Sequence, residues 1–276
     1  MKQDTQFDNL IMEALREDMP DGDLSSMYLF KEEQSSAKFI AKEEGVISGI
    51  NLCKRAFELV DPNVRFESLV KNGEAVQKGQ IIAMVHGLTK SLLMGERVAL
   101  NFLQRMSGIA SMTRKFVEKT AGTSAQILDT RKTTPLLRLI EKQAVLDGGA
   151  KNHRMSLSDM VMLKDNHLKA AKSIMDAVVT VKANIPATIK IEVEVETVSM
   201  FEEAVLTPCD IIMLDNMSLQ DMAKCVELNQ HRKKLEASGN MTLERIEHVA
   251  NTGVDYISVG ALTHSYKSMD ISLKFV

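Results

Sequence analysis

Ile189-Lys190-Ile191-Glu192-Val193-Glu194-Val195-Glu196 sets three carboxylates at every second position of a β-branched run. Alternation of period two reads as a strand, and it puts Glu192, Glu194 and Glu196 on one side. On a parallel strand covered on both faces, such a side should be apolar. Three acids there need either solvent or a lumen with neutralising partners. Lys164 and Lys190 are the expected partners.

Short apolar runs recur on both sides of this stretch. They fall at residues 126–128, 160–163, 211–214, 235–237 and 256–259. Helix-patterned segments lie between most of them, at residues 136–146, 170–183, 200–206, 217–228 and 243–250. Strand–helix alternation of this kind implies parallel strands joined by right-handed crossovers. Six strands are legible, and residues 149–160 have room for a seventh or eighth. The runs end on Asp129, Lys164, Glu194, Asp215, Ser238 and Gly260. One such residue is ordinarily a surface loop. Six in series suit a ring whose strand ends converge on one face, so an α/β barrel is favoured over an open sheet.

The first 90 residues read differently. Residues 7–15 and 51–60 have helical spacing, and residues 37–50 read as strand broken by Gly45 and Gly49. Residues 64–88 carry Asn72-Gly73 and Lys78-Gly79 turns in a compact β unit. Part of that unit, residues 73–80, is similar to a lipoyl or biotinyl hammerhead, but it lacks a lysine in the modified turn. Residues 92–106 read as a helix, with Ser107-Gly108 as its break.

The 276 residues carry 34 Lys and Arg against 37 Asp and Glu, a net charge of −3. That balance argues against bulk binding of nucleic acid or anionic membrane. The absence of Trp argues against base stacking. Three cysteines, Cys53, Cys209 and Cys225, have no metal-ligand spacing, and their odd number suits a reducing compartment. No apolar run approaches bilayer length, and the polar N-terminus is unlike a signal core.

Against this acidic background, residues 131–154 hold six Lys and Arg plus His153, with only Glu141 and Asp147 opposing. Arg138, Glu141 and Lys142 fit a solvated helix face. Arg131 and Lys132 fit it less well, because they follow a strand and precede Pro135. With His153, Arg154 and Lys164 they form a candidate pocket for a small, multiply charged anion. Glu194 and Asp215 beside it suit a divalent metal shared with phosphate, or sugar hydroxyls. Ser238-Gly239 and Gly260, each ahead of a helix, suit phosphate binding by backbone N–H groups. His153 and His167 do not form a zinc triad, and no serine-hydrolase elbow, Walker loop or cysteine nucleophile setting is present.

Asp129-Thr130-Arg131-Lys132-Thr133-Thr134-Pro135 is the most specific block. It stands with Gly22-Asp23-Leu24-Ser25, the Gly95–Leu103 segment, Ser107-Gly108-Ile109-Ala110, Glu141-Lys142, Gly148-Gly149, Asn152-His153-Arg154, Leu163-Lys164-Asp165-Asn166-His167, Leu214-Asp215-Asn216 and Glu236-Ala237-Ser238-Gly239. In this order the chain resembles the quinolinate phosphoribosyltransferases over nearly its whole length. Leu136 and Asn240 stand where that family usually has glycine.

The resemblance implies an N-terminal mixed α/β sandwich domain, residues 1–110 joined by 268–276, and an incomplete, about seven-stranded α/β barrel at 111–267. It implies a cytoplasmic homodimer or hexamer in which Arg97 reaches a neighbour's site. Arg97, Arg131, His153, Arg154 and Lys164 would surround quinolinate. Lys132, Glu194, Asp215, Ser238, Gly239 and Gly260 would meet phosphoribosyl pyrophosphate (PRPP), with Mg²⁺ on Glu194 and Asp215. Lys132, Glu194 and Asp215 would be catalytic. The implied reaction makes nicotinate mononucleotide, pyrophosphate and CO2 for NAD biosynthesis. Two rivals share the pocket: the related protein encoded with molybdate-transport genes, and a non-catalytic sensor of sugar phosphate or dicarboxylate.

Overall fold

A computed structural model describes residues 6–276. The chain divides into two compact units. Residues up to 112, with 143–149 and 266–276, form the first, and residues 113–142 and 150–265 form the second.

The first unit begins with α1 (Asp8–Asp18) and α2 (Leu24–Leu29), whose N-cap Asp23 accepts from the Ser25 and Ser26 N–H groups. There follow β1 (Gln34–Ala41), β2 (Gly45–Val46), α3 (Ile50–Val60), β3 (Arg65–Ser68), β4 (Ala75–Val76) and β5 (Ile81–Leu88). The strand read at residues 37–50 is thus β1 plus the two-residue β2, and Ile50 already starts α3. The chain continues into α4 (Thr89–Glu118). Phe39, Phe57 and Phe66 meet with ring centroids 5.8–6.2 Å apart, joining β1, α3 and β3 in one apolar core.

The break expected at Ser107-Gly108 does not occur, because α4 runs straight through it. The two small residues serve close packing instead. A Cβ on Gly108 would stand 2.2 Å from the Lys267 carbonyl oxygen. The Ser107 hydroxyl accepts from the Ser48 N–H at 3.0 Å.

The second unit holds β6 (Gln126–Leu128), the start of α5 (Arg138–Asp147), β7 (Val161–Leu163), α6 (Asp165–Ala170), α7 (Ile174–Asn184) and β8 (Ile191–Val195). It continues with α8 (Val198–Ala204), β9 (Ile211–Asp215), α9 (Leu219–Asn229), β10 (Lys234–Ser238), α10 (Leu243–Ala250), β11 (Tyr256–Ser258) and α11 (Ala261–His264). The helix read at residues 170–183 is α7, which starts four residues later because Ser173 caps it by accepting from the Asp176 N–H, and the short α6 before it was not expected. Six parallel strands lie in the order β7-β8-β9-β10-β11-β6. The seventh is reduced to one parallel bridge, Lys151 against Leu128, beside β6. The result is an incomplete α/β barrel. The last strand, β12 (Ile271–Phe275), returns to the first unit and pairs antiparallel with β1. Among the described residues, no helix is long and apolar enough to cross a membrane.

Candidate active site

Strand register collects the acids on one face. Glu192 pairs with Met162 and Ile211, Glu194 and Glu236 both pair with Met213, and Asp215 pairs with Ser238. Paired residues of parallel strands project to the same side, so Glu192, Glu194, Asp215, Glu236 and Ser238 share the inner face. Glu196 lies past the end of β8 and is exposed, as is Lys190 before it. Of the two expected lysine partners, Lys164 is the one engaged, with its Nζ 3.2 Å from the nearly buried Glu194 carboxylate.

The Arg138–Lys142 face is not solvated. Glu141 and Lys142 are fully buried. Lys142 Nζ is ion-paired to Asp129 and donates to the His153 carbonyl at 3.0 Å. Glu141 accepts from the Thr134 N–H at 3.0 Å. Burial pushes the Asp129 carboxyl up against the opposing pull of Lys142, and burial likewise pushes the Lys142 amine down. Asp129 also accepts from the His153 N–H at 2.8 Å, so one buried carboxylate ties the end of β6 to the residue 153 loop. Arg138 extends the tie by donating to Thr133 Oγ1 and the Met155 carbonyl.

His153 turns both ring nitrogens onto protein. Nε2 lies 3.1 Å from Glu192 and 3.3 Å from Glu236. Neither contact has hydrogen-bond alignment, and all four carboxylate oxygens lack any other hydrogen-bond partner. Nδ1 accepts from the Arg154 backbone N–H at 2.7 Å. Burial alone lowers the imidazole, but the two glutamates outweigh it and raise it to about 10. Burial, then Glu236, raises Glu192 to about 7. The Arg154 N–H donates to Nδ1, so Nε2 is the ring nitrogen that carries hydrogen toward the two carboxylates.

Arg131 and Arg154 supply the cationic part. Arg154 Nη1 donates to the Met160 carbonyl at 3.0 Å, and Nη2 lies 3.7 Å from the Met162 sulfur. Burial, then the charge of Arg131, holds the Arg154 guanidinium below its ordinary value. Arg131 Nε is buried with no hydrogen-bond partner. Two guanidiniums that repel, one with an unspent buried donor, make a receptor for an anion. Arg97 is an exposed side chain on α4 in the first unit. His167 has a local role, its Nδ1 accepting from the Lys164 N–H at the start of α6.

The glycine loops lie at the ends of β10 and β11. Gly239 has φ +92°, and a Cβ there would stand 2.2 Å from Asn216 Oδ1. Asn216 donates to Asp215 at 2.7 Å and accepts from Asn240 Nδ2 at 3.2 Å. Asn240, where the family usually has glycine, keeps the left-handed conformation at φ 49°. Arg245 clamps the loop after β10 to the loop after β9 by donating to the Gly239 and Met217 carbonyls. Gly260 opens α11, and a Cβ there would meet Lys132 Cδ at 3.0 Å and His264 Nε2 at 3.1 Å. Thr263 Oγ1 donates to the Lys132 carbonyl at 2.8 Å, holding the Arg131-Lys132 loop to this helix.

Reading the sequence missed three residues of this site. Helix spacing puts Lys142 on a solvent face, and only the Glu141-Lys142 motif marks it. Glu236 stands within the Glu236–Gly239 motif and alternates with Ser238 as Glu192 does with Glu194. His264 sits one helical turn after Gly260, a spacing that places it over the glycine.

Glu194 and Asp215, at the ends of adjacent strands on one face, fit the donor set of Mg²⁺. That ion takes one or two carboxylates and completes its shell with water and substrate phosphate.

The description "Quinolinate phosphoribosyl transferase, N-terminal domain" matches residues 23–107, and "Quinolinate phosphoribosyl transferase, C-terminal domain" matches residues 109–274. A probable nicotinate-nucleotide pyrophosphorylase [carboxylating] of Synechocystis is 43% identical over 98% of this chain and 92% of its own. A tobacco quinolinate phosphoribosyltransferase [decarboxylating] is 45% identical over 87% of this chain and 73% of its own. The solved NadC structure from Streptococcus pyogenes superposes with a TM-score of 0.96 at 42% identity, covering 100% of this chain and 99% of that one. The nicotinate-nucleotide pyrophosphorylase structure from Francisella tularensis superposes with a TM-score of 0.94 at 35% identity, covering 97% and 95%. On both halves of its length, the chain belongs to the quinolinate phosphoribosyltransferase family.

Proposed function

We infer that this chain is a nicotinate-nucleotide pyrophosphorylase (carboxylating), the enzyme that transfers phosphoribosyl from PRPP to quinolinate in NAD biosynthesis. The products are nicotinate mononucleotide, pyrophosphate and CO2. Family membership supports the reaction. The observation that carries the site is the pair Arg131 and Arg154, with the Arg131 Nε donor buried and unspent.

Quinolinate is a pyridine dicarboxylate, and two guanidiniums with Lys164 offer it charge and forked donors. Arg97 of a second copy completes the cation set in a homodimer. His153 forms the floor beneath, with its nitrogens already committed. At the other end, the Ser238-Gly239 loop and Gly260 hold the 5′-phosphate, and Lys132 faces the pyrophosphate. Glu194 and Asp215 hold the ribose hydroxyls and Mg²⁺. When bound, Mg²⁺ supplies neutralisation of the leaving group's charge.

The bond from C1 of the ribose to the pyrophosphate oxygen breaks, and the pyridine nitrogen donates its lone pair to C1. The carboxylates of Glu194 and Asp215 stabilise the positive charge that develops on the sugar. The C2–carboxylate bond then breaks and leaves its electron pair on C2, where the adjacent positive pyridinium nitrogen stabilises it. CO2 leaves, and C2 takes a proton. The ring nitrogen needs no general base, so the protein contributes positioning and electrostatics. The cytoplasm is the proposed compartment, consistent with three unpaired cysteines.

Incubating the protein with Mg²⁺, PRPP and carboxyl-labelled quinolinate should release labelled CO2 and form nicotinate mononucleotide. EDTA should stop both. Arg131→Ala should lower kcat/KM for quinolinate roughly 10- to 100-fold, the loss expected for a charged hydrogen bond. Turnover of another aromatic base with quinolinate inert would reject the substrate, and binding without turnover would reject the enzyme.

A further inference from the structure

Glu192 and Glu236 have no part in the reaction just described, yet both are carboxylates buried in the barrel without a hydrogen-bond partner. Both are 0% exposed, on β8 and β10, with β9 between them. A buried carboxylate without partners is strongly unfavourable, and here two face each other. What they share is His153 Nε2, within 3.1 and 3.3 Å. The opposite edge of the ring is equally constrained. Nδ1 takes the Arg154 N–H, and the His153 backbone is held by Asp129 through its N–H and by Lys142 through its carbonyl. The imidazole is a rigid spacer with carboxylates on one side and the Arg154 backbone on the other.

We propose that Glu192 and Glu236 are positioning residues for quinolinate binding. By flanking His153 Nε2 from two strands they hold that edge of the ring in place by charge, and the ring sets the backbone from which the Arg154 guanidinium enters the pocket. This rests on the reading of Arg154 as a quinolinate ligand. A metal centre is the competing use of the same three groups, whose donor atoms lie within 4.8 Å of one another. The Arg154 N–H on Nδ1 favours the clasp, since it orients the ring without an ion.

The test begins with the unaltered protein, whose quinolinate-dependent release of CO2 establishes the underlying reading. Loss of that activity there would be a failure of the reading, not of the clasp. Steady-state kinetics of Glu236→Leu and Glu192→Leu should then show KM for quinolinate raised roughly 10-fold or more, the size of a lost charged contact. KM for PRPP should change less than about 2-fold, within the scatter of uncoupled sites. Glu236→Gln keeps the shape and an acceptor, and it should recover much of the difference. Parallel rises in both KM values, or lower stability with unchanged KM, would overturn the proposal. The ¹⁵N spectrum of His153 in the unaltered protein needs no variant to fold. It should show hydrogen on Nε2 at neutral pH, and an Nε2 without hydrogen would overturn the clasp. Stoichiometric metal retained by the purified protein and lost in Glu236→Leu would overturn it in favour of a metal centre.

Discussion

Leu136 follows Pro135 in a turn closed by the Leu137 N–H on the Thr134 carbonyl at 3.1 Å. It sits at φ 68° and is 94% exposed, so it has the backbone of a glycine and the side chain of a core residue. Proline second and positive φ third define a type II turn, which favours glycine there. Leu136→Gly should therefore stabilise the protein by about 1 kcal/mol, since the left-handed penalty of a branched side chain exceeds the entropy that glycine adds to the unfolded chain. The midpoint of urea unfolding measures it, and a lower midpoint would contradict the turn assignment. Lys142 is the opposite case. Its amine is buried against Asp129, so Lys142→Met leaves a carboxylate in the interior and should cost about 3–5 kcal/mol in the same measurement. An exposed lysine, as helix spacing alone suggests, would cost almost nothing. Spacing marks which residues share a face, but whether protein or water covers that face depends on elements far away in sequence.

At the scale of elements, α4 shows the same limit. Ser107-Gly108 reads as a break because both residues are poor helix formers, and yet the helix continues for ten residues beyond Gly108. Tertiary packing overrides the propensity, since backbone at Lys267 and Ser268 fills the space a side chain would need. Gly108→Ala poses two effects of opposite sign. Helix propensity favours alanine by about 1 kcal/mol. A Cβ 2.2 Å from a backbone carbonyl forces displacement, an overpacking cost of about 1–3 kcal/mol. The obstacle is main chain and cannot swing aside, so net destabilisation should follow. A higher thermal midpoint for the variant would show that the contact yields. The strands were more legible, because parallel strands buried on both faces are continuous apolar runs. The seventh was not, since a single bridge at Lys151 needs no pattern of its own.

At the scale of the whole molecule, the chain starts and ends in the same unit. β12 covers the outer edge of β1 in register from Ala37–Phe275 to Ala41–Ile271, and Met269 and Ile271 are buried. Deleting residues 266–276 would leave β1 with β5 alone and open an apolar edge. The truncated chain should aggregate or melt well below the full chain in calorimetry, and an unchanged melting profile would show that β12 is dispensable. The sequence alone determined the alternating carboxylates of β8, the polar residue or glycine at the end of each apolar run and the Asp129–Pro135 block, because these are local patterns. Only the tertiary structure decided that Glu192 and Glu236 face one histidine, that Lys142 is buried and that Glu196 is not. Those facts depend on distances between residues tens of positions apart, and burial, which sets the cost of every charge, exists only once the strands have assembled around them.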